Sequence, residues 1–235
     1  MPYVWLNNVL CWLGWGALVG AVAFLAATII RGKGKRKRPL LGAGWCLAAF
    51  LLLGAANYAL IFLVQLPSLG REQLAQMDAY RADRLARTSL VRVGDPMPDF
   101  TLADADGSTF SMVEAKGKVV LINFFATWCG PCLSELPHIE RIWADYRDPK
   151  KFQLLVIGRE ESTESVRDFR SKNGYSFPIA ADPDRRVYSL FVKESIPRTV
   201  VVSPDGTIVY SAAGFNERDL EQLRSVLNQQ IVHQK

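Results

Sequence analysis

Several things are scarce in this chain, and each scarcity excludes something. No carboxylate side chain occurs before Glu72, so about the first third of the 235 residues carries no acidic side chain. Cysteine is rare, with four residues in all, too few for a disulfide scaffold. Histidine is rarer still: only His138 and His233 are present. Neither stands at finger spacing from Cys129 and Cys132, which argues against a zinc site built on that C-x-x-C. Basic excess is missing outside one run. The chain has 28 Lys+Arg against 23 Asp+Glu; six of the basic residues lie in Arg31–Arg38 (RGKGKRKR), leaving 22 against 23 elsewhere. A diffuse nucleic-acid-binding surface is therefore not expected. Hydrophobic residues at 49% and charged residues at 22% exclude wholesale disorder.

Charge is also absent from two long runs. Val9–Ile30 is 22 residues without a charge and Leu40–Leu66 is 27; about 20 apolar residues cross a hydrocarbon core. A cleaved signal peptide is rejected. No basic segment precedes the first run, the basic cluster follows it, and no small-residue cleavage site follows. A lipoprotein reading of Cys11 fails because Val-Leu precedes it. The sequence predicts a two-helix transmembrane anchor over 1–66, with spans near 9–30 and 40–66 and the basic loop 31–38 between them. Excess Lys/Arg in a short loop marks the cytoplasmic side, so both chain ends are expected outside the cytoplasm. The same loop suits contact with anionic lipid better than a nucleic-acid patch. Trp5, Trp12, Trp15 and Trp45 sit near the expected interfaces. Gly16 and Gly20 form a weak G-x-x-x-G, Cys11 and Cys46 read as small apolar side chains, and Asn57 suits a bridge between the spans.

A juxtamembrane linker follows over 67–92. Its segment 71–88 suits a helix, with a ragged apolar stripe of Leu74, Met77 and Leu85. From 93 to 235 the pattern becomes that of an α/β domain. Val119–Phe125 (VVLINFF) reads as a central strand buried on both faces. Strands are also expected at Phe152–Ile157, Phe177–Ala180, Thr199–Ser203 and Thr207–Ser211. The last two are joined by the turn Pro204-Asp205-Gly206. Helices are expected at Leu133–Tyr146, Glu164–Lys172, Arg185–Val192 and Glu217–Asn228. Strands alternating with helices predict a mixed central sheet with helices on both faces.

The C-x-x-C lies between a buried strand and a helix start. A thiol there meets the positive end of the helix dipole and unpaired N–H groups, which favour the thiolate. Cys129, at the strand exit, is expected to be the exposed nucleophile. Cys132, further into the helix and more buried, is expected to resolve the mixed disulfide. Gly130 lets the turn close and Pro131 fixes the backbone between the cysteines. A purely structural disulfide is the competing reading, and the strand–helix junction weighs against it.

WCGPC, preceded by NFFAT and followed by LSELP, resembles the thioredoxin superfamily. With the opening VGDPMPDFTL and with GKVV before the strand, it is most similar to the membrane-anchored TlpA/ResA-like disulfide reductases. The resemblance covers the soluble domain and not the hairpin anchor. It implies a thioredoxin-like fold and a redox-active disulfide, with Cys129 attacking and Cys132 resolving. Trp128, Gly130, Pro131, Ile196 and Pro197 would be the substrate-binding positions. Pro137 matches a helix-kinking proline. Ile196-Pro197 matches a loop whose peptide is cis and whose backbone pairs with a substrate strand; taken alone, the dipeptide would be a trans proline entering a strand. Glu135 matches an acid that exchanges protons with the thiols, against the plainer reading of a solvated carboxylate in a first helical turn. Asn123 occupies the place of thioredoxin's buried acid, so that proton relay is expected to be missing. His138 is expected to be partly packed.

The function expected is that of a membrane-tethered, extracytoplasmic protein disulfide reductase, for example in cytochrome c maturation. It would use no cofactor and no metal, and its partners would be protein disulfide substrates, a transmembrane thiol–disulfide electron donor and the lipid bilayer, with no nucleic acid. Two alternatives remain. One is a peroxiredoxin-like thiol peroxidase, which would need Thr-x-x-Cys where Thr127 stands only two residues before Cys129. The other is a non-enzymatic, tethered binding module.

Overall fold

The computed structural model describes residues 66–232 without a break, together with 51–59, 62, 63 and the isolated positions 16, 20 and 48. The expected span 9–30, apart from Gly16 and Gly20, and the whole basic loop 31–38 lie outside the described residues, as does about half of 40–66. Among the described residues no helix is long and apolar enough to cross a membrane. The chain divides into two compact units, Met1–Ala79 and Tyr80–Lys235.

The helix expected over 71–88 begins earlier and runs Leu66–Thr88 (α1). Leu74, Met77 and Tyr80 on it are exposed. After it a short hairpin forms, β1 (Thr101–Ala103) against β2 (Thr109–Ser111). The sequence reading missed this hairpin, because strands of three residues give too few side chains for an alternation to register.

The central sheet has five strands in the order β5-β4-β3-β6-β7. β3 (Val119–Phe125), β4 (Phe152–Arg159) and β5 (Ile179–Asp182) run parallel; β6 (Arg198–Val202) and β7 (Ile208–Ala213) add on antiparallel. Every residue of β3 is buried, and its side chains alternate between two cores. Val119, Leu121 and Phe125 enter the first, Val120, Ile122 and Phe124 the second. The first core is closed by α2 (Gly130–Tyr146) through Leu136, Ile139 and Ile142, by α3 (Thr163–Asn173) through Val166, and by α5 (Glu217–Val232) through Leu223 and Leu227. The second is closed differently from the expectation of helical cover. Its lid is the β1–β2 hairpin with Phe110, the loop residues Met97 and Met112, and the single turn α4 (Tyr188–Phe191). Aromatic rings make up for the missing helix area: Phe124 lies 5.5 Å from Tyr188 and 5.3 Å from Phe191, and Phe100 lies 5.9 Å from Phe191. A fully buried Phe is worth about 2–3 kcal/mol of transfer free energy.

Two element boundaries shift for local reasons. The strand expected at Phe177–Ala180 starts at Ile179. The N–H of Phe177 is drawn to the Glu140 carboxylate, and Pro178 has no N–H to give a ladder. The helix expected at Arg185–Val192 shrinks to Tyr188–Phe191. Arg185 adopts a left-handed φ of 57°, and Asp182 caps the turn by accepting from the N–H of Tyr188 at 2.7 Å and of Val187 at 3.1 Å.

Candidate active site

β3 ends at Phe125, and the chain reaches α2 through Ala126, Thr127 and Trp128. Cys129 is the N-cap of α2, in extended conformation, and its Sγ accepts from the Cys132 N–H at 3.3 Å. The helix therefore starts at Gly130, before the expected Leu133, and carries Pro131 in its first turn, where a missing N–H leaves no bond unmade. Cys129 and Cys132 are joined by a disulfide of 2.10 Å. Cys132 is fully buried. Cys129 is 6% exposed, so the nucleophile expected to be open is instead reached through a small window. Trp128 beside it is exposed, while Ile196 packs against the cluster that holds both cysteines.

Next to the disulfide the first core is interrupted by polar groups. Glu135, one turn beyond Cys132, is 5% exposed. Its carboxylate accepts from Asn123 Nδ2 at 2.8 Å and from the Thr199 hydroxyl at 2.8 Å; that hydroxyl in turn accepts from Asn123 Nδ2 at 2.9 Å. The solvated-carboxylate reading of Glu135 is thus overturned: the side chain turns inward to the sheet because β3 and β6 present two polar partners there. Burial pushes its carboxyl up to about 7, against the Asn123 and Thr199 hydrogen bonds that favour the ionised form. The strand position expected to lack thioredoxin's acid does lack one. Asn123 does stand on the strand, but a buried acid adjoins it, supplied by the helix.

Three further segments fix the loops around the cysteines. The Ile196–Pro197 peptide is cis. In the β3–β6 register Phe124 faces Arg198, so Pro197 and Ile196 continue alongside the end of β3, where the Cys129 loop departs. Ser195, before them, has a left-handed φ of 88°. Its hydroxyl accepts from Arg84 Nη2 at 2.7 Å and its carbonyl from the Tyr188 hydroxyl at 3.1 Å.

Glu161, between β4 and α3, holds the other loop. Its carboxylate accepts from the Thr127 N–H at 2.8 Å, the Thr127 hydroxyl at 2.6 Å and the Ser165 hydroxyl at 2.6 Å. Burial would raise this carboxyl; the Ser165 and Thr127 bonds outweigh it and hold it below its usual range. Gly158 stands where an added Cβ would come within 2.4 Å of Val166 Cγ1 and 3.1 Å of Glu161 Cβ.

Arg198, following the cis proline, is 1% exposed. Its Nη1 donates to Ser89 Oγ at 2.9 Å and its Nη2 to Thr88 Oγ1 at 2.5 Å. Burial lowers it to about 10, which leaves it charged at neutral pH. Arg84, Thr88, Ser89, Glu161 and Arg198 were all missed by sequence reasoning, since each acts across a long sequence separation. His138 is half-buried, its ring 5.4 Å from that of Phe215.

The AhpC/TSA family model matches residues 93–211. The thiol-disulfide oxidoreductase ResA of Oceanobacillus iheyensis is 31% identical over 143 residues, which span 59% of this chain and 73% of that protein. ResA of Halalkalibacterium halodurans is 29% identical, over 60% of this chain and 81% of that one. Among solved structures, a candidate protein disulfide isomerase from Bacteroides thetaiotaomicron superposes with a TM-score of 0.60 at 32% identity, covering 62% of this chain and 94% of that one. A candidate thiol:disulfide interchange protein DsbE from Chlorobium tepidum does so with a TM-score of 0.51 at 28% identity, covering 61% and 98%. With a helix-capping C-x-x-C disulfide, a cis proline beside it and these relatives, the chain belongs to the AhpC/TSA family of the thioredoxin superfamily, in its TlpA/ResA-like branch of thiol–disulfide oxidoreductases.

Proposed function

We propose that this oxidoreductase is a membrane-tethered reductase of protein disulfides working outside the cytoplasm. The observation that carries the chemistry is the Cys129–Cys132 disulfide at the start of α2 with Glu135 buried one turn on. In the dithiol form the Cys129 thiolate, favoured by the helix N-terminus, attacks one sulfur of a substrate disulfide. A mixed disulfide forms, and the other substrate sulfur leaves as a thiolate and takes up a proton. Cys132 loses its proton, attacks Cys129 Sγ and expels the second substrate sulfur, which is protonated in turn. The substrate gains two electrons and two protons, and the protein ends as the Cys129–Cys132 disulfide. Glu135, with a carboxyl that titrates near neutrality, is placed to exchange the Cys132 proton. Trp128 and the backbone of Gly130, Pro131, Ile196 and Pro197 form the rim on which an extended substrate segment lies.

Reduction must be renewed by a dithiol donor. The anchor supports one within the membrane: two charge-free runs flank a loop with six basic residues, which favours a cytoplasmic loop and an external oxidoreductase domain. Exported cysteine proteins, among them apocytochromes c with their haem-attachment thiols, are the substrate class this arrangement suits. The AhpC/TSA match makes a thiol peroxidase the second reading. Against it, the Thr127 hydroxyl is bound to Glu161 and the resolving partner lies only three residues from Cys129.

Two measurements on the full chain test the proposal. The reduced protein should precipitate insulin by cleaving its disulfides and should consume no peroxide; peroxide turnover without disulfide cleavage reverses the assignment. A reporter fused to the C-terminus should be active only outside the cytoplasm; cytoplasmic activity removes the tethered topology.

A further inference from the structure

Beside Trp128 three guanidiniums surround one phenol. Arg159, the last residue of β4, has its Cζ 5.9 Å from the Trp128 ring centroid and 5.3 Å from that of Tyr188. Arg185 Cζ lies 5.0 Å from the Tyr188 ring. Arg198 is the third; burial raises the Tyr188 phenol above its usual range, and the three guanidiniums offset only part of that rise. The Nε atoms of Arg159, Arg185 and Arg198 are buried and have no acceptor. Among the described residues one carboxylate offsets Arg159 and Arg185: Glu160, 2.8 Å from Arg159 Nη2 and 3.8 Å from Arg185 Nη1.

Position gives this excess charge a use. Trp128 flanks Cys129 on one side, and the Tyr188 hydroxyl ties the cluster to Ser195, next to the cis proline, on the other. The Arg159 and Arg185 side chains keep 15% and 34% exposure, so both remain open in part to an incoming chain. A partly covered guanidinium binds a carboxylate more strongly than one in open water, and its planar fork donates to both carboxylate oxygens.

We propose that Arg159 and Arg185 form a subsite for a carboxylate of the substrate polypeptide, an acidic side chain near the disulfide being cleaved. Glu160 is the resident carboxylate that the incoming one joins or displaces. The inference rests on the disulfide-reductase reading and adds a substrate preference to it: clients with acidic flanks over neutral ones.

The test uses the reduced full chain and two synthetic peptides of equal length, each with one disulfide flanked by Glu or by Gln. The acidic peptide should be reduced with a kcat/KM about tenfold higher at low salt, two partly screened charge contacts being worth about that much. The difference should lie in KM and shrink as salt rises. Arg185→Gln should cut the acidic-to-neutral ratio about threefold, the share of one of two such contacts. Arg159→Lys, which keeps the charge and loses the fork, should cut it less. The salt titration of the unaltered protein needs no variant to fold. Equal kcat/KM for the two peptides at low salt, or a ratio untouched by Arg185→Gln, overturns the subsite while leaving the reductase intact. Failure to reduce either peptide overturns the reductase reading and the subsite with it.

Discussion

Arg198 and Thr199 are neighbours on β6 and point to opposite faces of the sheet, and each face hides one ionisable group. On the first face Thr199 binds the buried Glu135 carboxylate; on the second, Arg198 is itself buried against Thr88 and Ser89. Among the described residues neither group is hydrogen-bonded to an opposite charge; hydroxyls and an amide serve instead. The outcomes differ because burial acts on different starting points. It moves Glu135 to about 7, into the range where it can gain or lose a proton. It moves Arg198 only to about 10, where the side chain stays a cation and can act as a fixed brace. The same physical cost of burial thus makes a proton-exchanging group on one face and a clamp between α1 and the cis-proline loop on the other.

The largest effect should come from breaking the brace. Arg198→Ala removes two charged hydrogen bonds and opens a cavity, and should cost about 3 kcal/mol of stability in denaturant titration. Hydrogen exchange should rise first at the amides of Leu90 and Lys193, which bond Phe191 and Thr88 across the junction. Glu135→Gln should leave the fold in place yet slow disulfide exchange about tenfold to a hundredfold and flatten its pH profile near neutrality. The same variant carries a stability signature. The Glu135 carboxyl is raised from 4.5 to about 7, so the folded protein binds the extra proton. Its contribution is full below 4.5 and lost as pH rises through 7. Denaturation midpoints of the native chain should fall across that window, and those of Glu135→Gln should fall less.

Gly158→Ala should cost about 2 kcal/mol by pushing on Val166, and should also slow exchange, because Glu161 shares the contact and holds Thr127. Thr88→Val, which takes away one acceptor from Arg198, should be the mildest, at about 1 kcal/mol in the same titration. If Arg198→Ala and Thr88→Val altered the pH profile as Glu135→Gln does, the contrast between brace and acid would be lost.

The contiguous part of this site was legible in the sequence. β3 announced itself as six apolar residues around Asn123, and Ala126–Cys132 followed it in a spacing that fixes strand, turn and helix. The cis proline was accessible only through the family resemblance, as the dipeptide carries no mark of its isomer. The environment of Glu135 was left open, because helical spacing alone does not say that Asn123 and Thr199 wait inside. Glu161, Arg84 and Arg198 were invisible for a plainer reason. Their partners Thr127, Ser195 and Thr88 lie 34, 111 and 110 residues away, and no local pattern encodes a contact that only the sheet order creates. The helical cover expected on the second face is there only as the single turn α4; Tyr188 and Phe191 on it, with Phe100 and with Phe110 of β2, close that face around Phe124 of β3.

The reduction potential of the Cys129/Cys132 couple in the full chain, read from equilibration with a dithiol buffer of known potential, bears most directly on the reductase assignment. A value near that of thioredoxin, about −270 mV, is predicted; a value near about −120 mV, that of a strong oxidant, would contradict it.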